Sequence, residues 1–244
     1  MNLALIGYGR MGHEVEQVAR ERGLKILKVF EIGENERGAA LTRASLKGVD
    51  VCIDFSAQEG VYENICAVAE TGANMVVGTT GWYDRLEEVR ALVKKKKMGF
   101  LFASNFSLGV NIFLQIIMDA SHIFDAYPEY DVAVNEIHHQ GKSDSPSGTA
   151  LSIGSTILKE FHRKKEILAE TSHGAIKSHQ LHIGSTRLGH TTGKHSVIFD
   201  SESDSIEFIH TAKNRRGFAV GAVVAAEWLK GKKGFYTMRD VLHT

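Results

Sequence analysis

Three residues that can handle protons and anions lie close together in the chain: His138, His139 and Lys142. A histidine can donate a proton near neutral pH, and a lysine carries a positive charge there. A helix that begins around Ser147, Gly148 and Thr149 would add the backbone N–H groups of its first turn, which favour anions. Together these residue types favour a substrate that carries carboxylates and takes up a proton during the reaction.

The paired histidines are poorly placed to chelate a metal ion. They end the strand-like run "YDVAVNEIHH", and successive strand residues face opposite sides, so His138 and His139 would point apart. The sequence has no H-E-x-x-H motif and no G-x-S-x-G nucleophile elbow. We therefore predict no metal site and no serine hydrolase. The residues alone leave open a structural role, with a buried histidine beside a solvated Lys142.

A glycine-rich motif near the N-terminus, G-x-G-x-x-G, follows the apolar run "LALIG" and precedes a helical pattern. In dinucleotide-binding folds the first glycine makes a tight turn, the second admits a pyrophosphate, and the third allows close helix packing. The N-terminus of the helix then faces the negative charge. We expect the loop to bind the cofactor through Gly7, Tyr8, Gly9, Arg10, Met11 and Gly12.

An acidic residue follows at the spacing expected for a ribose contact. Glu31 ends the second strand-like run, 19 residues after Gly12. A carboxylate there accepts hydrogen bonds from a 2′-hydroxyl and repels a 2′-phosphate, which favours NADH. Ile32 stands where an arginine would bind such a phosphate, yet Arg10 lies within the glycine loop, so NADPH stays open.

Two later strand ends carry small and polar residues, in "VVGTTGW" and "FASNFSLGVN". Ligands of open α/β sheets bind beyond the carboxyl ends of the strands. Ordinary polar loops would look the same, so a purely structural role stays open. We expect the following residues to line the nicotinamide half of the cofactor site: Gly78, Thr79, Thr80, Ala103, Ser104, Asn105 and Phe106.

Composition and charge narrow the class of partner. The chain has 244 residues, 43% hydrophobic and 24% charged, which is typical of globular proteins. Lys plus Arg and Asp plus Glu both number 29, so no net field attracts nucleic acid or an anionic membrane. The sequence shows neither a membrane span nor a secretory signal. We expect a cytoplasmic protein with a small-molecule partner, in which Cys52 and Cys66 are core thiols.

The pattern of elements predicts two units. As far as about residue 105, short β-rich runs alternate with amphipathic helical stretches, which is typical of a parallel sheet with helices on both faces. A helix over 109–126 follows, then a strand ending at the histidine pair and a helix beginning near Pro146. The runs "QLHIGSTRLG", "KHSVIFDS" and "SIEFIHTA" predict an antiparallel meander. The apolar closing segment is expected to pack back on the first unit.

The motifs together resemble a known family. In chain order they are "GYGRMG", "IDFS", "GTTGW", "ASNFSLGVN", "EIHHQGKSDSPSGTA" and "GFYTMRDVL", and they are similar to those of the dihydrodipicolinate reductases of bacterial lysine and diaminopimelate synthesis. The resemblance covers essentially the whole chain. It implies an α/β fold with a Rossmann-like dinucleotide-binding domain over 1–106 and 216–244, and a smaller α+β domain over 107–215 that binds substrate and builds a homotetramer. It also implies hydride transfer from NADH or NADPH to the dihydrodipicolinate ring, giving tetrahydrodipicolinate.

The resemblance further implies roles for individual residues. His138 corresponds to the acid of the family, and His139 to a substrate contact. Lys142 corresponds to a residue that assists protonation and stabilises charge. Gly148 and Thr149 correspond to the pair that binds a substrate carboxylate.

One departure from the family pattern and two rival functions stay open. Many members have a basic residue or a histidine where this chain has Gly141, which implies a more mobile loop of lower charge. One rival is another two-domain NAD(P)-dependent dehydrogenase, acting on an amino acid or a semialdehyde. The other is a dinucleotide-sensing protein without catalysis, whose second domain serves only assembly.

Overall fold

The computed structural model describes residues 1–31 and 33–242, and the chain divides into two compact units. The first unit joins residues 1–108 to the segment from 215 onward, and the second contains residues 109–214. Within the described residues, no helix combines the length and the apolar character needed to cross a membrane.

The elements follow one another along the chain, and the connection from residue 31 to residue 50 contains, in its described part, a single 3-10 turn. In order they are β1 (Asn2–Ile6), α1 (Arg10–Glu21), β2 (Lys25–Phe30), β3 (Val51–Asp54), α2 (Val61–Ala69), β4 (Asn74–Val77), α3 (Leu86–Lys96), β5 (Gly99–Phe102), α4 (Leu108–Asp125), β6 (Asp131–His138), α5 (Gly148–Glu160), β7 (Glu166–Leu168), β8 (Gln180–Arg187), β9 (Lys194–Asp200), β10 (Ser205–Thr211), α6 (Arg216–Leu229), β11 (Gly234–Thr237) and α7 (Met238–Leu242). Short 3-10 turns lie at Glu36–Gly38 and Tyr83–Arg85.

The first unit contains a parallel sheet in the strand order β11-β5-β4-β3-β1-β2. Strand β1 shows why the sheet is covered on both faces. Leu3 and Leu5 pack into one core with residues of α1 and α6, whereas Ala4 and Ile6 pack into a second core with residues of α2 and α3. Because side chains alternate along a strand, an apolar run of this length requires helices on each side.

The predicted parallel sheet is confirmed, with one strand more than the sequence indicated. The five β-rich runs before residue 105 form β1 to β5. The sixth strand, β11, lies in the closing segment and pairs with β5 at the sheet edge. Its run "GFYT" is too short to be recognised by alternation, so no strand was predicted there.

The second unit contains a mixed sheet in the order β10-β9-β6-β8-β7. Strand β6 is central, because β8 pairs with one side of it in parallel and β9 pairs with the other side antiparallel. Helices α4 and α5 contribute Ile117 and Ile153 to the core, where these residues pack with Val134 and Val197 of the sheet.

The predicted antiparallel meander is wrong. Strands β9 and β10 do pair antiparallel, but β8 and β9 lie on opposite sides of β6 and do not pair with each other. The loop between them therefore has to cross the carboxyl end of β6. Two backbone hydrogen bonds fix this crossing, from Leu188 N–H to His138 O at 2.8 Å and from Gln140 N–H to Gly189 O at 3.1 Å. The loop covers His138, which explains why that residue is buried.

Helix α5 begins later than predicted. The sequence placed Pro146 in the first turn, but the helix starts at Gly148, after Ser147. Ser147 has an extended backbone, and its side chain accepts the N–H of Ala150 at 3.1 Å, which makes it the N-cap. An N-cap serine contributes about 1 kcal/mol to helix stability, so this contact fixes where the helix begins.

Candidate functional site

The glycine loop between β1 and α1 has the shape that a pyrophosphate requires. Gly7 has φ +86°, and a Cβ there would clash with the backbone of Phe55. A Cβ at Gly12 would lie 2.5 Å from the carbonyl oxygen of Gly7, so the helix packs directly on the turn. Gly9 has no other atom within 4 Å of its Cβ position. The middle glycine therefore leaves open space at the N-terminus of α1, where anions bind.

A cavity of about 590 Å³ lies on one side of the loop. Six of the predicted cofactor residues line it: Gly9, Arg10, Met11, Gly78, Thr79 and Thr80. Five residues that were not predicted also line it: Phe55, Ser56, Gln58, Arg215 and Phe218. Phe55 and Ser56 directly follow β3, so the rule that ligands bind beyond strand ends would have found them.

A second cavity of about 300 Å³ lies beside the end of β2. Gly7 and Glu31, two of the predicted cofactor residues, line it, and Glu36 and Glu59 add two further acidic residues to its wall. Arg37, in a left-handed backbone conformation with φ 47°, is the cation among them. The neighbouring Ile32, which stands where an arginine would bind a 2′-phosphate, lies outside the described residues. An open glycine loop between two cavities fits a dinucleotide, with one cavity for each half.

The remaining predicted cofactor residues line neither cavity. Tyr8 donates a short hydrogen bond to Glu16, and Gly12 is buried against the turn. Phe106 is 1% exposed, and its ring lies 5.9 Å from that of Phe55 in the core. Ala103, Ser104 and Asn105 lie between β5 and α4, and Ala103 packs on the same core. A cofactor contact by these residues stays a prediction.

A buried carboxylate, that of Asp54, fixes side chains that line the two cavities. Asp54 Oδ1 accepts hydrogen bonds from the hydroxyls of Thr79 at 2.6 Å and Ser56 at 2.8 Å, and Oδ2 accepts from the Asn64 amide at 3.0 Å. Burial raises the pKa of Asp54, and these hydrogen bonds oppose the shift. Ser56 lines both cavities, so Asp54 fixes a wall that they share.

In the second unit, strand register builds a polar cluster around His138. Glu136 precedes it by two positions on β6, so both side chains are on one face, and both are buried. Glu136 lies opposite Ser185 of β8 and His195 of β9, and His138 lies opposite Arg187. None of these four residues was predicted as part of the site. The two-residue spacing could have revealed Glu136, whereas nothing local to β6 indicates the partners on β8 and β9.

Glu136 receives most of the hydrogen bonds in this cluster. Its Oε1 accepts the N–H of Ser147 at 3.0 Å, the hydroxyl of Ser185 at 2.9 Å, and both terminal nitrogens of Arg187 at 3.3 Å. Its Oε2 lies 3.1 Å from His138 Nδ1 and 3.7 Å from His195 Nε2. One carboxylate therefore joins β6, β8, β9 and the start of α5.

The start of α5 lies against the same cluster. The Ser147 hydroxyl is 3.2 Å from His195 Nε2. This hydroxyl also accepts the N–H of Ala150, so it links the first turn of α5 to the histidine. Gly148 and Thr149 follow as the first helical residues, and Gly148 is exposed. The predicted anion-binding turn is therefore held in place by the histidine cluster.

The loop with Lys142 lies next to this cluster. The Lys142 Nζ is 2.7 Å from Asp144 Oδ1, and its backbone N–H bonds to the carbonyl oxygen of His139 at 3.1 Å. The hydrogen bond from Lys142 lowers the pKa of Asp144. Arg187 donates to the Asp144 carbonyl oxygen at 2.6 Å and so ties the loop to β8. His139 is half-buried, so an incoming anion can meet it at the edge of the loop.

Burial sets the protonation of the two inner histidines. It lowers the pKa of His138, although the Glu136 carboxylate opposes the shift. Burial lowers the pKa of His195 further, to about 4, so this imidazole is neutral at neutral pH. The hydroxyl of Ser147 then meets a neutral imidazole.

Glu136, His138 and His195 also place one ligating atom each within 4.8 Å of the others. The sequence spacing did not reveal this set. The Arg187 guanidinium lies 3.3 Å from the Glu136 carboxylate, so a positive charge is in place beside it and opposes a second cation. The cluster therefore favours proton transfer over metal binding, and the absence of a metal site stays a prediction.

Comparisons with known proteins agree with this arrangement. A family model described as "Dihydrodipicolinate reductase, N-terminus" matches residues 1–106, and one described as "Dihydrodipicolinate reductase, C-terminus" matches residues 109–242. A 4-hydroxy-tetrahydrodipicolinate reductase of Christiangramia forsetii is 41% identical over 99% of this chain and 98% of its own length. One of Archaeoglobus fulgidus is 37% identical over 99% of this chain and 100% of its own length.

A solved structure shares the fold. It is a dipicolinate-bound dihydrodipicolinate reductase from Paenisporosarcina sp. TG-14, with a TM-score of 0.81, 23% identity and 98% coverage of both chains. The Rossmann-like sheet and its glycine loop are those of an NAD(P)-dependent oxidoreductase. With both family models and full-length relatives in agreement, the chain belongs to the dihydrodipicolinate reductase family, which serves lysine and diaminopimelate biosynthesis.

Proposed function

We propose that the chain reduces the dihydrodipicolinate ring to tetrahydrodipicolinate with NADH or NADPH, and that His138 is the proton donor. The reductase activity follows from the family and from relatives of the same length. One observation supports the residue assignment above all: a buried imidazole, a lysine and a helix N-terminus lie within one short segment, 138–149. These are the groups that a dianionic substrate requires when it takes up a proton.

The first unit would hold the cofactor. Gly7, Gly9 and the N-terminus of α1 would bind the pyrophosphate, and Thr79 would lie beside the nicotinamide. When bound, the nicotinamide supplies the hydride. The acidic wall of the smaller cavity, with Glu31, favours a ribose hydroxyl over a phosphate, so we propose that NADH is preferred.

The second unit would hold the substrate. Lys142 and the backbone N–H groups of Gly148 and Thr149 would bind its carboxylates, and His139 would contact it beside the loop. Held in this way, the ring is oriented before reaction, and the fixed positive charges stabilise the negative charge that develops in it. His138 would then protonate the carbon next to the one that receives hydride.

We also propose that the second sheet joins subunits of a homotetramer in the cytoplasm. Strand β10 is an edge strand, and its residues Ile206 and Ile209 are 43% and 50% exposed. Apolar side chains on an unpaired edge favour pairing with another copy of the chain. Sedimentation of the purified protein tests the tetramer, and a monomer at micromolar concentration would contradict it.

The activity is tested by the near-ultraviolet absorbance of reduced nicotinamide, with substrate freshly generated from its biosynthetic precursors. We expect the absorbance to fall only when substrate and enzyme are both present, and faster with NADH than with NADPH. Loss of absorbance with an amino acid or a semialdehyde instead would indicate the rival dehydrogenase. Cofactor binding without turnover of any of these substrates would indicate the sensor.

A further inference from the structure

Glu136 is a fully buried carboxylate, on the same face of β6 as the proposed acid. Burial alone would raise its pKa, but hydrogen bonds from Ser147 and Ser185 outweigh burial and lower it. Arg187 adds a positive charge at 3.3 Å. The side chain is therefore held as a carboxylate, in one orientation, by groups from β8 and from the start of α5.

All four of those hydrogen bonds end on Oε1, and the other oxygen is left facing the histidines. Oε2 and His138 Nδ1 lie 3.1 Å apart, out of line for a hydrogen bond. Within the described residues, neither atom has another hydrogen-bond partner. Two buried polar atoms that face each other unpaired gain free energy when they form a hydrogen bond, so this pair favours alignment of Nδ1–H with Oε2.

We propose that Glu136 is the positioning residue of the acid: its Oε2 holds a proton on Nδ1 of His138, so that Nε2 is the atom that donates to the substrate. This rests on the proposed function. In the transfer, the Nε2–H bond breaks and a C–H bond forms on the substrate ring. The imidazolium becomes a neutral imidazole that keeps its Nδ1–H toward Glu136, which stays ionised throughout.

The same carboxylate ties the acid to the substrate-binding turn. Its Oε1 holds the N–H of Ser147, the residue that caps α5, while its Oε2 faces His138. A substrate carboxylate bound at Gly148 is thus placed relative to the acid by one side chain. Loss of Glu136 would misplace the proton donor and the anion site together, and such misplacement lowers kcat more than it raises KM.

The charges around His138 determine how its protonation depends on Glu136. Glu136 and Asp144 favour the imidazolium, whereas burial, Lys142 and Arg187 disfavour it. His195, on β9, is neutral near pH 7 and adds no charge there. Glu136 is the nearer of the two carboxylates, so removing its charge lowers the pKa of His138 and narrows the pH range in which it can donate.

Glu136→Gln tests the proposal, because the amide keeps the shape and removes the charge. We expect kcat to fall by about a hundredfold, as for loss of a positioned acid, while the Kd for NADH stays within about twofold. As pH rises, the activity that depends on protonated His138 should begin to decline at a lower pH in this variant than in the wild type. Glu166→Gln is the matched control: Glu166 also faces a histidine, with Oε1 3.4 Å from His179 Nε2, but both side chains are exposed. Wild-type kcat and an unchanged pH profile in Glu136→Gln would overturn the proposal.

A second measurement needs neither turnover nor a folded variant. Two-bond ¹H–¹⁵N spectra of the wild-type protein, labelled at histidine, report which ring nitrogen carries the proton. With the His138 signals assigned, we expect the Nδ1–H tautomer above its pKa, and the Nε2–H tautomer would overturn the proposal. If the wild-type enzyme fails to reduce the ring, the proposed function falls, and the tautomer still decides whether Glu136 orients His138.

Discussion

Gly193 lies directly against the imidazole of His138. A Cβ at this position would be 3.0 Å from Nε2 and 3.3 Å from Cδ2 of the ring. Gly193 ends the loop that crosses β6. Its carbonyl oxygen accepts the N–H of Ala212 at 2.8 Å, and this hydrogen bond holds the backbone in place. The absence of a side chain at 193 therefore sets the orientation of the proposed proton donor.

Gly193→Ala should displace the His138 ring and lower kcat by roughly tenfold to a hundredfold, since a misplacement of about 1 Å has effects of this size. Cofactor affinity should not change, because no cofactor residue is altered. Gly174→Ala, where a Cβ meets nothing within 4 Å, is the matched control. Steady-state kinetics with both variants check the prediction, and equal kcat values would refute it.

Removing either proposed proton-handling group should affect chemistry more than binding of cofactor. We expect His138→Gln and Lys142→Ala each to lower kcat by about a hundredfold or more, as for loss of a positioned acid or charge. Lysine substitution should also raise KM, because Lys142 would bind a substrate carboxylate. Lys159→Ala, at an exposed position on α5, controls for general loss of positive charge. If turnover is unchanged in both variants, the roles of these residues are wrongly assigned.

Glu31 should determine much of the choice between the two cofactors. Glu31→Ala removes one of the carboxylates that line the smaller cavity. A 2′-phosphate is then repelled less, while Arg37 still attracts it. We expect the ratio of kcat/KM for NADPH to that for NADH to rise about tenfold, equivalent to about 1.4 kcal/mol. Glu34→Ala, which is exposed and does not line the cavity, should leave the ratio alone. A ratio that stays constant in Glu31→Ala would show that another residue selects the cofactor.

His195 should make stability depend on pH. Burial lowers its pKa from 6.5 to about 4, so the unfolded chain takes up this proton before the folded chain does. The contribution of neutral His195 to the free energy of unfolding is fully present above pH 6.5. It is lost as pH falls towards about 4, and the loss is at most about 3 kcal/mol. In His195→Gln, the amide can still form a hydrogen bond with Ser147, but it does not titrate. Urea midpoints at neutral pH and near pH 5 should therefore differ less in this variant than in the wild type, and an equal difference would exclude His195 as the source.

The sequence predicted those parts of the site that are contiguous in the chain. The glycine loop and Glu31 follow from spacing alone, and His138, Lys142 and Gly148 are within one segment, so their proximity needs no tertiary information. The partners Ser185, Arg187 and His195 reach Glu136 only through the register of β8 and β9, and a single sequence does not specify register between distant strands. The same limit explains the wrong meander, because three consecutive strand-like runs do not reveal that a fourth strand lies between two of them.

The return of α6 and β11 to the first unit has a consequence for biosynthesis. Ala222 and Val223 of α6 belong to the same core as Leu3 and Leu5, so that core is incomplete until a ribosome has translated beyond them. The second unit, 109–214, is contiguous and can close its core first. Domains usually fold in N-to-C order during translation, and this arrangement predicts the reverse order, in which one apolar face of the first sheet stays uncovered until the last part of the chain is made.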